Sequence, residues 1–137
     1  CRGVKMETKF NIAIATIGAI LGHLLGGLDM LLIVFLTILV IDTCTGMIKA
    51  WGLGEYSSKK FRAGFLKKTG YMIAVLVAVQ IDLLLGNTGI LRGACLYLFI
   101  ANEGTSICEN LGQMGVKLPP ALIQGLEILK NKGESEK

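Results

Sequence analysis

The chain has a single histidine, His23, and no two of its four cysteines (Cys1, Cys44, Cys95, Cys108) stand at a C-x-x-C spacing. Zinc sites draw on closely spaced Cys and His ligands, so none is expected here. A G-x-S-x-G elbow is missing, as are a phosphate-cradling glycine loop and a carboxylate–histidine spacing fit for a metal. Without such a constellation the chain reads as a non-enzyme with no cofactor. Charge is also scarce, at 18% of residues against about a quarter in soluble domains. Aromatic residues make up only 7%, and the basic residues sit in no nucleic-acid motif, so a nucleic-acid partner is not expected.

What is abundant is apolar sequence. Of 137 residues, 53% are hydrophobic, and they are bunched into long runs. That pattern predicts one all-α membrane domain over residues 1–137. Three or four membrane helices are expected, at about 10–28, 30–50, 69–86 and 93–114. The first run follows Arg2, Lys5 and Lys9 and is followed by Gly26-Gly27-Leu28-Asp29 and not by an A-x-A cleavage pattern, so it reads as a retained segment.

Basic residues concentrate in the stretch 53–68, where Lys59, Lys60, Arg62, Lys67 and Lys68 face only Glu55. The positive-inside rule puts this stretch in the cytoplasm. It suits a short interfacial helix, capped by Ser57 or Ser58, whose five cations meet anionic lipid headgroups; a plain solvated loop is the alternative. Counting crossings outward from it gives four spans with both termini inside. If the first run only lies in the interface, three spans remain with the N-terminus outside. The tail 117–137 opens on Pro119-Pro120, and Leu122, Leu126 and Leu129 recur on one side, so a short amphipathic cytoplasmic helix is expected, frayed after Gly133.

Small residues repeat every fourth position: Gly18, Gly22 and Gly26; Gly46, four after Asp42; Gly70, Ala74 and Ala78, leading to Asp82. Such stripes let helices approach closely, within one chain or between copies, and homo-oligomers are expected. Asp42 and Asp82 would each cost about 2.5–3.5 kcal/mol at the centre of a membrane helix, so they face protein or water, unless Asp82 lies at headgroup depth.

The fourth run is the most informative. On a helical wheel Asn102, Glu103, Ser106, Glu109, Asn110 and Gln113 fall within an arc of about 120°. Ile100, Ile107, Cys108, Leu111 and Met114 lie off it. Either the helix stays in the membrane with its polar side toward partners or water, or it has already left as a surface helix. The first reading makes these six residues, with Asp42 and Asp82, candidate pore-lining groups.

The stretches "IDTCTGMIKAW", "SSKKFRAGFLKK", "DLLLG" and "FIANEGTSICENLGQMGVKLPPAL" resemble the phage-lysis and toxin-secretion holins of Gram-positive phages and clostridia. The similarity covers roughly 30–130, and the NEG-x-S-I-x-EN block is its most specific part. The resemblance implies a small, oligomerising protein of the bacterial cytoplasmic membrane. It implies a lesion that lets endolysin, or a large toxin, leave the cell, without requiring direct binding of that cargo. "METKF" from Met6 fits a translation start, and holins often use two. A small ion channel or transporter subunit and a non-conducting scaffold are the competing classes.

Overall fold

A computed structural model describes residues 2–55 and 57–135, with side chains from Met6 onward. Cys1, the last two residues of the tail, and the side chains of Arg2 and Lys5 lie outside the described residues. Among the described residues five helices follow one another: α1 (Arg2–Leu24), α2 (Met30–Gly52), α3 (Ser58–Leu84), α4 (Ile90–Gln113) and α5 (Pro120–Ser135). No strand occurs among the described residues.

α4 is the central helix. α2, α3 and α5 all pack on it, and α2 and α3 meet α4 more than they meet each other. The core lies where α2, α3 and α4 converge, around Leu32, Phe35, Val75, Val79, Leu96 and Ile100. Tyr71 and Phe99 stack at its edge with centroids 4.1 Å apart, and Phe99 tilts against Phe35 at 6.2 Å. Outside this seam the surface is apolar: Ile33, Val40, Ile48, Ile73, Val77 and Leu84 are all exposed. A surface of that kind suits a hydrocarbon solvent. The hydroxyls of Thr16, Thr37, Thr43, Thr69 and Thr105 donate to the carbonyl four residues back, at 2.8–3.0 Å. Each therefore brings its own partner to a setting that offers no water.

Among the described residues two helices, α2 and α3, are long and apolar enough to cross a membrane. α4 has the length, but its polar residues and three charges, Arg92, Glu103 and Glu109, lower its apolar content. α1 stops at Leu24, where Gly26 and Gly27 take positive φ (84° and 100°) and turn the chain. Its apolar part therefore runs only from Phe10 to Leu24 and not to residue 28. At 1.5 Å per residue that is about 22 Å, short of a hydrocarbon core of about 30 Å. From Met6 to Leu21 every side chain of α1 is exposed.

Two further elements differ from expectation. The basic stretch is not a separate interfacial helix: α3 starts at Ser58 and continues unbroken to Leu84. Nothing between these residues stops a helix, since no proline intervenes and Gly64 and Gly70 are tolerated. Ser57 sits at the N-cap position but makes no side-chain cap bond. The tail helix forms where the prolines predict, yet it folds back antiparallel along α4 through Gly133, where it was expected to fray. A β-carbon on Gly133 would stand 2.9 Å from the Ala94 carbonyl oxygen, so only glycine allows this approach. Gly104 likewise makes room for Leu126, and the Lys132 ammonium sits 4.4 Å from the Tyr97 ring centroid.

The end of the bundle opposite the basic stretch is tied by Arg92 and Asp82. The Arg92 guanidinium donates to the carbonyls of Leu25 (2.7 Å) and Gly27 (3.1 Å) and forks onto Asp29 at 2.7 and 2.9 Å. Asp29 also caps α2, accepting from the Leu32 N–H at 2.9 Å. Asp82, buried at the end of α3, accepts from Leu91 N–H (3.1 Å), Arg92 N–H (2.8 Å) and the Thr88 hydroxyl (2.9 Å). It caps α4 from another helix, in place of Gly89, which has no side chain to do so.

Arg92 holds the Asp29 carboxyl below its usual value of 3.8. The contact is thus at full strength above that pH and is lost as acidification carries Asp29 through its lowered folded value. Replacing Arg92 with Ala removes partners from two carbonyls and a carboxylate, and should cost about 2 kcal/mol or more. Asp29→Asn, at a half-exposed site, should cost under about 1 kcal/mol. Thermal loss of helicity in detergent micelles measures both, and a larger effect from Asp29→Asn would contradict the hub role of Arg92.

Candidate functional site: a buried ionic layer

α2, α3 and α4 run alternately up and down, so Gly52, Ser58 and Gln113 share one end. Asp42, Lys68 and Glu103 each lie ten residues from that end of their helix. At 1.5 Å per residue all three are about 15 Å deep. The Lys68 ammonium is 2.7 Å from Asp42 Oδ2 and also pairs with Glu103 Oε2. Lys67 adds its ammonium 3.0 Å from Glu103 Oε1, in ion-pair range without hydrogen-bond geometry, and 5.4 Å from the Tyr71 ring centroid. Asn110 donates weakly, at 3.4 Å, to Asp42 Oδ1 and to the Thr45 hydroxyl. Two cations and two carboxylates form a layer of zero net charge.

The layer is deeply placed. The Glu103 side chain is 1% exposed, Asp42 13% and Lys68 18%. Removing one such charge strands its partner, whereas neutralising the set together does not. What the layer does chemically is hold α2, α3 and α4 together with groups that are costly in hydrocarbon and cheap in water.

The six polar residues of α4 divide. Glu103, Ser106 and Asn110 turn toward α2 and α3. Asn102 and Glu109 line an open groove beside α5, with Lys67, Glu127 and Lys130. Gln113 is exposed at the helix end. The off-arc side does not present a broad lipid face, because Ile100 is buried and Ile107, Cys108, Leu111 and Met114 are half-buried. Of the two aspartates, Asp42 joins the ionic layer and Asp82 caps α4 at the far end.

The basic residues also divide. Lys59, Lys60 and Arg62 remain exposed at the start of α3, Lys60 only 3.9 Å from Glu55. Lys67 and Lys68, expected at headgroups, instead reach inward to carboxylates, because α3 continues as one helix and carries them deeper. Among the small residues Ala78 is buried and Ala74 half-buried against the core. Gly22 is buried, with the Leu28 side chain 3.0 Å from where a β-carbon would stand. Gly26 belongs to the turn under Arg92, and Gly46 faces Asn110. Gly18 and Gly70 have nothing within 4 Å of that position.

Residue reading alone missed Arg92, Asp29 and the pairing of Lys68. The signals were opposite charges in two turns on the same side, and equal depths of Asp42, Lys68 and Glu103 once α3 is started at Ser58.

The chain matches the bacteriophage holin family over residues 19–131. It belongs to that family. It is 37% identical over 97 residues to a probable holin of Bacillus phage phi105, covering 71% of this chain and 72% of the relative. An uncharacterised Listeria innocua protein is 40% identical over 126 residues, 92% of this chain and 85% of its own length. A 14.9 kDa protein from the nagH 3′ region of Clostridium perfringens is 38% identical over 131 residues, 93% and 99% of the two chains. No solved structure matches. Holin membership and two apolar helices make this a membrane protein of holin type, and no catalytic family is indicated.

Lys68→Met leaves Asp42 without its cation and should destabilise the bundle by about 3–5 kcal/mol. The combined change Asp42→Asn, Lys67→Met, Lys68→Met and Glu103→Gln, which neutralises the whole set, should recover most of that loss. Thermal unfolding in micelles tests the pair of variants. A quadruple variant no more stable than Lys68→Met would remove the layer's role.

Proposed function

We infer that this holin gathers in the bacterial cytoplasmic membrane and opens a lesion through which endolysin, or a large toxin, leaves the cell. The observation that carries this reading is the inward polar face of α4. At rest Glu103, Ser106 and Asn110 are turned toward Lys67, Lys68 and Asp42. Once copies assemble and the helices part, the same groups, with Asn102, Glu109 and Gln113, face water. Hydration then replaces the ion pairs, so the layer can open without leaving charges in hydrocarbon.

The basic start of α3 favours the cytoplasmic side for that end of the bundle. The turn at 114–119 then lies inside, and the turns tied by Arg92 lie outside. α2, α3 and α4 supply three crossings. The short apolar part of α1 suits the interface, or a fourth crossing with local thinning. Small residues left uncovered on α1 and α3, Gly18 and Gly70, are available for contact between copies.

The channel alternative separates cleanly. On induction a holin gives abrupt, timed release of a cytoplasmic marker protein. A narrow channel changes the membrane potential without that release, and a scaffold does neither. Apolar replacement of Glu103 and Glu109 together should delay or abolish release while insertion is unchanged. Unaltered timing in that variant would count heavily against a lesion lined by α4.

Side assignment has its own test. Cysteines at Val4 and Leu28, in a background with the native cysteines replaced, are probed on intact cells with an impermeant reagent. Labelling at Leu28 alone supports four crossings; labelling at Val4 leaves three.

A further inference from the structure

Near the shared end of the bundle α2 and α3 diverge, and a cleft of about 280 Å³ opens between them. Its outer walls are apolar and exposed: Met47 on α2, Phe61 and Phe65 on α3. Two glycines line it. A β-carbon on Gly64 would meet nothing within 4 Å, and one on Gly46 would meet only Asn110 at 3.7 Å. The inner end stops at Asp42 and Lys68, which already neutralise each other.

The mouth is different. Lys49, in the last turn of α2, has no carboxylate within ion-pair distance among the described residues. Lys60, in the first turn of α3, has only Glu55 at 3.9 Å, and both are largely exposed. Both lysines stand within three residues of their helix ends, about 5 Å or less along the axis. For helices that cross a bilayer this is where lipid phosphates lie, with the apolar walls just below.

We propose that this cleft seats one anionic phospholipid, its phosphate at Lys49 and Lys60 and the upper part of one acyl chain over Gly46 and Gly64. Charge at the mouth and apolar walls below match the order of groups in such a lipid. A zwitterionic lipid brings no net negative charge to the two lysines. Inorganic phosphate cannot use the apolar walls. The volume lies just under the usual range for small-molecule sites, so part of a lipid enters and the rest stays in the bilayer. The proposal rests on α2 and α3 lying in the membrane, and not on lesion opening.

Native mass spectrometry of the full chain in detergent, titrated with phosphatidylglycerol or phosphatidylcholine, tests it without lysis as a readout. One phosphatidylglycerol should be retained at least tenfold more tightly than phosphatidylcholine. Lys49→Gln with Lys60→Gln should abolish the preference, and arginine at both positions should keep it. Gly64→Leu fills the cleft with all charges in place and should weaken retention at least fivefold. Equal retention of the two lipids overturns the seat. So does a helical Gly64→Leu variant that binds normally, since charge on an open surface would then suffice. Full competition by millimolar inorganic phosphate overturns it in favour of a free-anion site. If Gly64→Leu does not fold, the glutamine and arginine pairs still decide.

Discussion

Lys68 sits between Asp42 and Glu103, and the bundle depends on that arrangement. Each of the three groups would be costly alone in hydrocarbon, and each comes from a different helix. Their depths agree because α2, α3 and α4 place them the same number of residues from one end. An ammonium shared by two carboxylates leaves one negative charge over, and Lys67 supplies the balance from the half-exposed edge. The layer thus fixes the register of three helices that apolar packing alone would specify weakly, since lipid tails are as apolar as the side chains they would contact.

The opposite end uses a different device. There Arg92 and Asp82 answer backbone groups left open by helix termini and turns, more than they answer other side chains. One end of the bundle is held by closing loops onto α4, and the other by charge pairing between helix interiors. Between them lies a short apolar core of Phe35, Val75, Val79, Leu96 and Ile100.

Much of this was legible in the sequence, and the reasons for the rest are physical. Apolar runs and turn glycines placed α2 and α4 within a few residues, because those signals are local. The basic stretch misled, since clustered lysines suit a headgroup layer and their partners lie 26 and 35 positions away. Hydropathy alone starts α3 near residue 69, whereas the helix starts at Ser58 and carries Lys67 and Lys68 to buried carboxylates. The polar arc of α4 was visible, but a wheel cannot say that three different surfaces would share it. The docking of α5 depends on Gly133 and Gly104, single residues whose meaning appears only when the partner helix is known.

The neutral layer also bears on how the chain enters a bilayer. Of the three helices that build the layer, a chain that inserts from its N-terminus delivers α2 first, with Asp42 unpaired. α3 then brings Lys67 and Lys68, turning a deficit of one positive charge into a surplus of one. α4 arrives last, and Glu103 returns the count to zero. Each helix corrects the imbalance left by the one before, so a nascent chain cut short before α4 carries an excess cation and a vacant central position. The charge count of the layer thus closes only once Glu103 is in place.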